Sequence, residues 1–154
     1  MRFAARGESF PLAQVFTISR GAKTSADVVV VELDRGGIMG RGESVPYPRY
    51  DESVPGTLAE LAAIKPQIEA GLDRQQLQDL LPPGAARNAL DCALWDLEAK
   101  ASGRPVHQLA GLAAPQPIDT AFTLSLDTPE AMGQAAAQNA HRPLLKIKLA
   151  GADD

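Results

Sequence analysis

The sequence predicts two folds in succession: an α+β domain over residues 1–115, made of an antiparallel meander and a group of helices, then the opening of an α/β domain at 116–154. Three observations carry this. A β-branched run near the N-terminus ends in a pair of glycines; from Thr57 the apolar period lengthens from that of a strand to that of a helix; and beyond Pro115 and Pro117 a strand, helix, strand pattern follows.

The elements can be justified in order. Val15 to Ser19 alternates with β-forming residues, and Val28 to Leu33 runs into Asp34, Arg35, Gly36 and Gly37, which reads as a strand and a hairpin turn. The returning segment Ile38 to Glu43 holds Gly40 and Gly42, which weaken a strand unless a bulge forms or a neighbour packs closely on its backbone. Ser44 to Gly56 contains three prolines and forms a loop long enough to carry function. A helix from Thr57 places Leu58, Leu61, Ala62 and Ile68 on one side and stops at Gly71. Asp73 caps a shorter helix through Leu81.

Pro82, Pro83 and Gly84 break the pattern. The helix that follows carries Ala86, Leu90, Ala93, Leu94 and Leu97 on one face and ends at Gly103 and Pro105. After the linker, Ile118 to Leu126 is a strand, Thr128 and Pro129 start a helix to about His141, and Leu144 to Leu149 is a second strand, together one βαβ unit. Two parallel strands do not make a stable sheet, so this unit reads as the start of a larger α/β domain.

Composition narrows the function. With 45% apolar residues in 154 the chain can bury an ordinary core, and 15 basic against 19 acidic residues, with no basic block, exclude nucleic-acid binding. Cys92 is the one cysteine and sits in the helical apolar pattern, so it is expected to be a buried structural thiol. The N-terminus lacks the apolar core of a targeting segment, and no apolar run is long enough to cross a membrane. The expected location is the cytoplasm, with no membrane partner.

The last strand carries the chemistry. In Leu145-Lys146-Ile147-Lys148-Leu149 side chains alternate, which puts Lys146 and Lys148 on one face, about 7 Å apart. On a desolvated face, burial and mutual repulsion both favour a neutral amine, which is a base. Taken alone, the same spacing far more often marks a solvated face or a protected edge strand.

Several stretches, in this order, are similar to the dipeptide epimerases of the enolase superfamily. They are Ile18-Ser-Arg-Gly-Ala-Lys-Thr-Ser-Ala-Asp27 with the valine run after it; Gly42-Glu-Ser-Val-Pro-Tyr-Pro-Arg-Tyr-Asp-Glu-Ser53; Gly84-Ala-Ala-Arg-Asn-Ala-Leu-Asp-Cys-Ala-Leu-Trp-Asp-Leu97; Thr128-Pro-Glu-Ala-Met132; and Leu145-Lys-Ile-Lys148. The loop and long-helix segments most resemble enzymes that epimerise L-Ala-D/L-Glu, and the similarity covers the front half of such an enzyme. The resemblance implies an enolase-type N-terminal α+β capping domain followed by the first βαβ of an incomplete TIM-type β/α barrel.

The resemblance also implies roles. Lys148, near the end of the second barrel strand and shortly before Gly151, exchanges the α-proton on one face of the substrate, and Lys146 is its electrostatic partner. Mg²⁺ stabilises the enolate, on carboxylate ligands from later strands that this sequence does not contain. The 154-residue chain alone is therefore expected to be inactive.

Two loops, Arg20 to Ser25 and Ser44 to Ser53, are expected to face the substrate, an acidic dipeptide such as L-Ala-L/D-Glu released from bacterial wall peptides. Arg20, Lys23, Thr24 and Arg49 are the binding candidates there, together with Thr123 in the first barrel strand; each also suits an ordinary structural role. Another racemase or cycloisomerase of the superfamily, or a noncatalytic binding module, is the alternative function, and self-association is left open.

The remaining residues read as structural. Trp95 is expected to pack between the capping domain and the barrel, and Asp91 and Asp96 to pair with Arg87 and Lys100. His107 and His141 lack metal-ligand spacing, with His141 closing a helix, and the Gly-x-Gly before Glu43 is no phosphate loop.

Overall fold

The computed structural model describes residues 1–150, so Gly151 lies outside the described residues. They fall into two compact units, one of 1–9 with 27–115 and one of 10–26 with the described residues from 116 on, so the end of the first hairpin groups with the C-terminal segment.

The first two strands are far longer than the apolar runs that mark them. β1 spans Arg2–Ile18 and β2 spans Gly21–Arg35, joined through Ser19 and Arg20, and β3 spans Ile38–Ser44, in sheet order β1-β2-β3. In the N-terminal part of β1 the signal was the alternation of Phe3 and Ala5, facing the core, with Arg2, Ala4 and Arg6. Gly36 and Gly37 make the β2–β3 turn with φ of 63° and 88°, the left-handed pair that matches the twist of a two-residue hairpin.

The core of the first unit lies on one face of this sheet. Val29, Val31 and Leu33 pack against Leu61, Ile64, Ile68, Leu77, Leu90, Leu94 and Leu97 of the helices. Each fully buried leucine among them contributes about 1.5–3 kcal/mol of transfer free energy. Val28 and Val30, on the other face, are buried too, so the valine run is covered on both sides.

Four helices build the other layer. α1 runs Val54–Ala63, three residues earlier than Thr57, because the Ser53 hydroxyl accepts the Gly56 N–H and Pro55 suits the first turn. The single helix expected as far as Gly71 is broken at Ile64, and α2 is Lys65–Ala70. Pro66 is the reason, since it has no N–H to donate and crowds the preceding turn. α3, Arg74–Leu80, is capped by Asp73 as the sequence indicates, and the structure adds the reciprocal bond from Gln76 that completes a capping box. α4, Ala85–Ser102, buries the five residues expected of it together with Ala85 and Ala89, and Gly103 closes it at φ 66°. A short helix α5, Val106–Leu109, is too brief for periodicity to reveal.

β3 and α4 are in direct backbone contact. A Cβ built on Gly40 would lie 2.3 Å from the Ala93 carbonyl oxygen. The helix also serves the free edge of the strand: the Asp96 carboxylate accepts the Arg41 N–H at 2.8 Å, Lys100 donates to the Met39 carbonyl at 2.9 Å, and Asn88 donates to the Glu43 carbonyl at 3.2 Å. An edge strand of this sheet is thereby capped by side chains. Lys100 pairs with Asp96 at 2.6 Å as expected, whereas Arg87 turns to the Leu81 carbonyl.

One other expectation is corrected. Cys92 is exposed on α4, at the margin of the helix's buried stripe where its Cβ borders Gly42 of β3, and desolvation together with the neighbouring Asp91 carboxylate pushes its thiol pKa up. Trp95 stacks under the guanidinium of Arg74, 3.3 Å from its ring centroid, while Arg74 forks onto Glu98. Its partner thus belongs to α3, in the same unit.

In the second unit β4, Phe122–Leu124, pairs in parallel with β5, Leu145–Ile147, and α6, Pro129–Gln138, joins them. Thr128 caps α6, its hydroxyl accepting the Ala131 N–H. Both strands are shorter than their apolar runs, and α6 ends before His141, which lies in the turn that follows. Segment 125–126 lies along the edge of β1, with the Leu126 N–H donated to the Thr17 carbonyl at 3.0 Å.

Candidate functional site

The parallel register of β4 and β5 places Thr123 opposite Lys146. Registered residues of neighbouring strands project to the same face, so the threonine and the lysine share one surface of the pair. Lys146 is exposed there. Lys148 follows β5 directly, one residue past the last paired position, and is half-buried. It therefore stands at the C-terminal end of its strand, where α/β folds carry reactive groups.

Arg20 occupies the exposed turn between β1 and β2, and Lys23 and Thr24 are exposed near the start of β2. Residues 20–25 are thus a turn running into a strand, where a loop was expected. The reason is pairing: a local sequence of modest strand propensity is held extended by β1. These three residues belong to the same compact unit as Thr123, Lys146 and Lys148, and Arg49 belongs to the other.

Arg49 sits on a 3-10 turn, Pro48–Tyr50, fully in solvent. Beside it the Tyr50 ring is 71% exposed and lies 6.0 Å from the ring of Tyr47. Asp51 closes the turn in the left-handed region at φ 58°, its N–H donated to the Pro48 carbonyl at 3.1 Å. Glu52, which the sequence reading passed over, accepts the Tyr47 N–H at 2.9 Å and the Ala85 N–H at 2.7 Å. The signal for it was at the other end of the contact: α4 begins after Gly84, which has no side chain to cap the helix.

Among the described residues no group of three or more His, Cys, Asp or Glu side chains is placed to hold a metal ion. These residues do not form a Mg²⁺ site by themselves. Among them, too, no helix is long and apolar enough to cross a membrane.

With this geometry in view, comparison defines the class. Residues 4–111 match the mandelate racemase / muconate lactonizing enzyme N-terminal domain, and the chain belongs to that family. Its fold is the enolase-type N-terminal capping fold, an antiparallel sheet with helices on it. Among individual proteins, it is 47% identical to the L-Ala-D/L-Glu epimerase of Escherichia coli K12, over 92% of this chain and 45% of the relative. A crystal structure of an enolase family member from Agrobacterium tumefaciens, with homology to dipeptide epimerases and with bound sodium and L-Ala-L-Glu, superposes with a TM-score of 0.89. It is 53% identical over 95% of this chain and 45% of that one. The dipeptide epimerase of Enterococcus faecalis, complexed with Mg and L-Leu-L-Tyr, superposes with a TM-score of 0.82 at 30% identity, over 96% of this chain and 44% of that one. The chain spans just under half the length of these relatives.

Proposed function

We propose that this chain is the front portion of a dipeptide epimerase, an isomerase that inverts the α-carbon of an acidic dipeptide of the L-Ala-D/L-Glu type. Residues 1–115 are its capping domain and residues 116–154 the opening of its barrel. The observation that carries the reading is the position of Lys148, half-buried at the C-terminal end of a strand whose preceding lysine is in register with Thr123.

In this reading the Lys148 amine takes the α-proton from one face of the substrate, and the electrons of the broken C–H bond pass into the enolate of the adjoining carbonyl. Return of a proton to the opposite face requires a second base from outside the described residues. Lys146 adds positive charge on the same strand face. Arg20, Lys23 and Arg49 recognise carboxylates of the dipeptide through charge-assisted hydrogen bonds, with Thr24 and Thr123 as neutral contacts. Mg²⁺ belongs to the complete enzyme, on ligands beyond these residues. The substrate chemistry fits turnover of bacterial wall peptides in the cytoplasm.

The test is Lys148→Ala in the complete enzyme. Epimerisation of L-Ala-L-Glu should be lost, while one epimer still exchanges its α-proton with D₂O through the opposing base. Near-normal epimerisation by a folded variant would remove the assignment.

A further inference from the structure

We propose that Glu52 is a positioning residue: its carboxylate ties the Val45–Asp51 segment to the N-terminus of α4 and so holds Arg49 and Tyr50 in place. This rests on reading that segment as substrate-facing. The two oxygens of one carboxylate serve two elements far apart in the chain, Oε2 accepting the Tyr47 N–H at 2.9 Å and Oε1 the Ala85 N–H at 2.7 Å. α4 begins at Gly84 with no side-chain cap of its own, and a Cβ on Gly84 would come 3.2 Å from Glu52 Oε1, so the glycine leaves the carboxylate its place. A carboxylate at a helix N-terminus is also favoured by the exposed N–H groups and the helix dipole.

Beyond this contact the segment closes on itself. Tyr50 donates its N–H to the Tyr47 carbonyl at 2.9 Å, Asp51 closes the 3-10 turn on Pro48, and Ser53 caps α1 immediately afterwards. Between the tie at Tyr47 and the cap at Ser53, residues 48–51 are all exposed, and Arg49 and Tyr50 are the long side chains among them. α4 itself is held independently, through Gly40, Gly42 and the Asp96 and Lys100 contacts to β3. Loss of the carboxylate therefore removes the tie between Tyr47 and Ala85 while the helix stays docked.

The experiment compares wild type, Glu52→Gln and Glu52→Asp in the complete enzyme, with L-Ala-L-Glu as substrate and with amide hydrogen exchange measured at residues 47–51, 85 and 94. Glu52→Gln keeps one accepting oxygen and places an NH₂ against the other amide. It should speed exchange at residues 47–51 with Leu94 still protected, and raise KM about tenfold with kcat within about twofold. Glu52→Asp, which keeps the charge, should recover part of the KM. Unchanged exchange at residues 47–51 would overturn the proposal, as would a fall in kcat that follows loss of global stability with KM unmoved. Arg49→Ala with Tyr50→Ala separates the two readings. If that pair leaves KM unchanged, the segment does not face substrate; if it raises KM and Glu52→Gln does not, the tie is not what positions them.

Discussion

Gly42 of β3 lies so close under Ala89 of α4 that a methyl group on it would come 2.1 Å from the Ala89 carbonyl oxygen. Neither backbone can yield easily, because Leu90, Ala93 and Leu97 of the same helix are already buried against the sheet. Gly42→Ala should destabilise the fold by about 1–3 kcal/mol, the usual range for overpacking. Gly133, inside α6 with nothing within 4 Å of its missing Cβ, is the opposite case. Gly133→Ala should stabilise by about 0.4–1 kcal/mol. Urea denaturation of both variants checks the two signs.

The chain of 154 residues, expressed alone, should not catalyse exchange of the α-proton of L-Ala-L-Glu in D₂O with Mg²⁺ present. Exchange through Lys148 also needs a metal to hold the developing enolate charge, and the described residues form no group placed to hold one. Exchange above a protein-free control, followed by NMR, would contradict the mechanism.

In the complete enzyme, Arg20→Ala and Arg49→Ala should each raise KM for L-Ala-L-Glu more than for L-Ala-L-Ala. A lost charge-assisted contact costs about 1.5–3 kcal/mol, or roughly ten- to a hundredfold. Equal effects on both dipeptides would take that arginine out of the side-chain recognition site.

On the sheet, Arg6 donates to Glu32 at 2.9 Å and to Glu8 at 2.8 Å. The hydrogen bonds from Arg6 hold the Glu32 carboxyl below its ordinary pKa, with Arg41 assisting. A carboxylate depressed in the folded state stabilises above its unfolded pKa, about 4.3, and that contribution disappears as pH falls through the folded value. Glu32→Gln should therefore lower Tm at pH 7, and the difference from wild type should shrink to nothing on acidification. Thermal melts across that range decide it; a gap that widens in acid would contradict the assignment.

What the sequence determined by itself is local. The Asp73 cap, the Thr128 cap, the Gly36-Gly37 turn and the buried face of α4 were legible because each depends on residues within a turn or two of one another. Tertiary structure decided the rest. The lengths of β1 and β2 come from their pairing, which keeps Gly21 to Thr24 extended against weak propensity. Gly40 and Gly42 were flagged as wanting a close neighbour, and only the docking of α4 shows which one. Thr123 meets Lys146 through the parallel register, and Glu52 finds Ala85 across the fold. Cys92 carries the same lesson. A helical pattern states which residues can share a face, and the neighbouring element settles which of them are covered and by what.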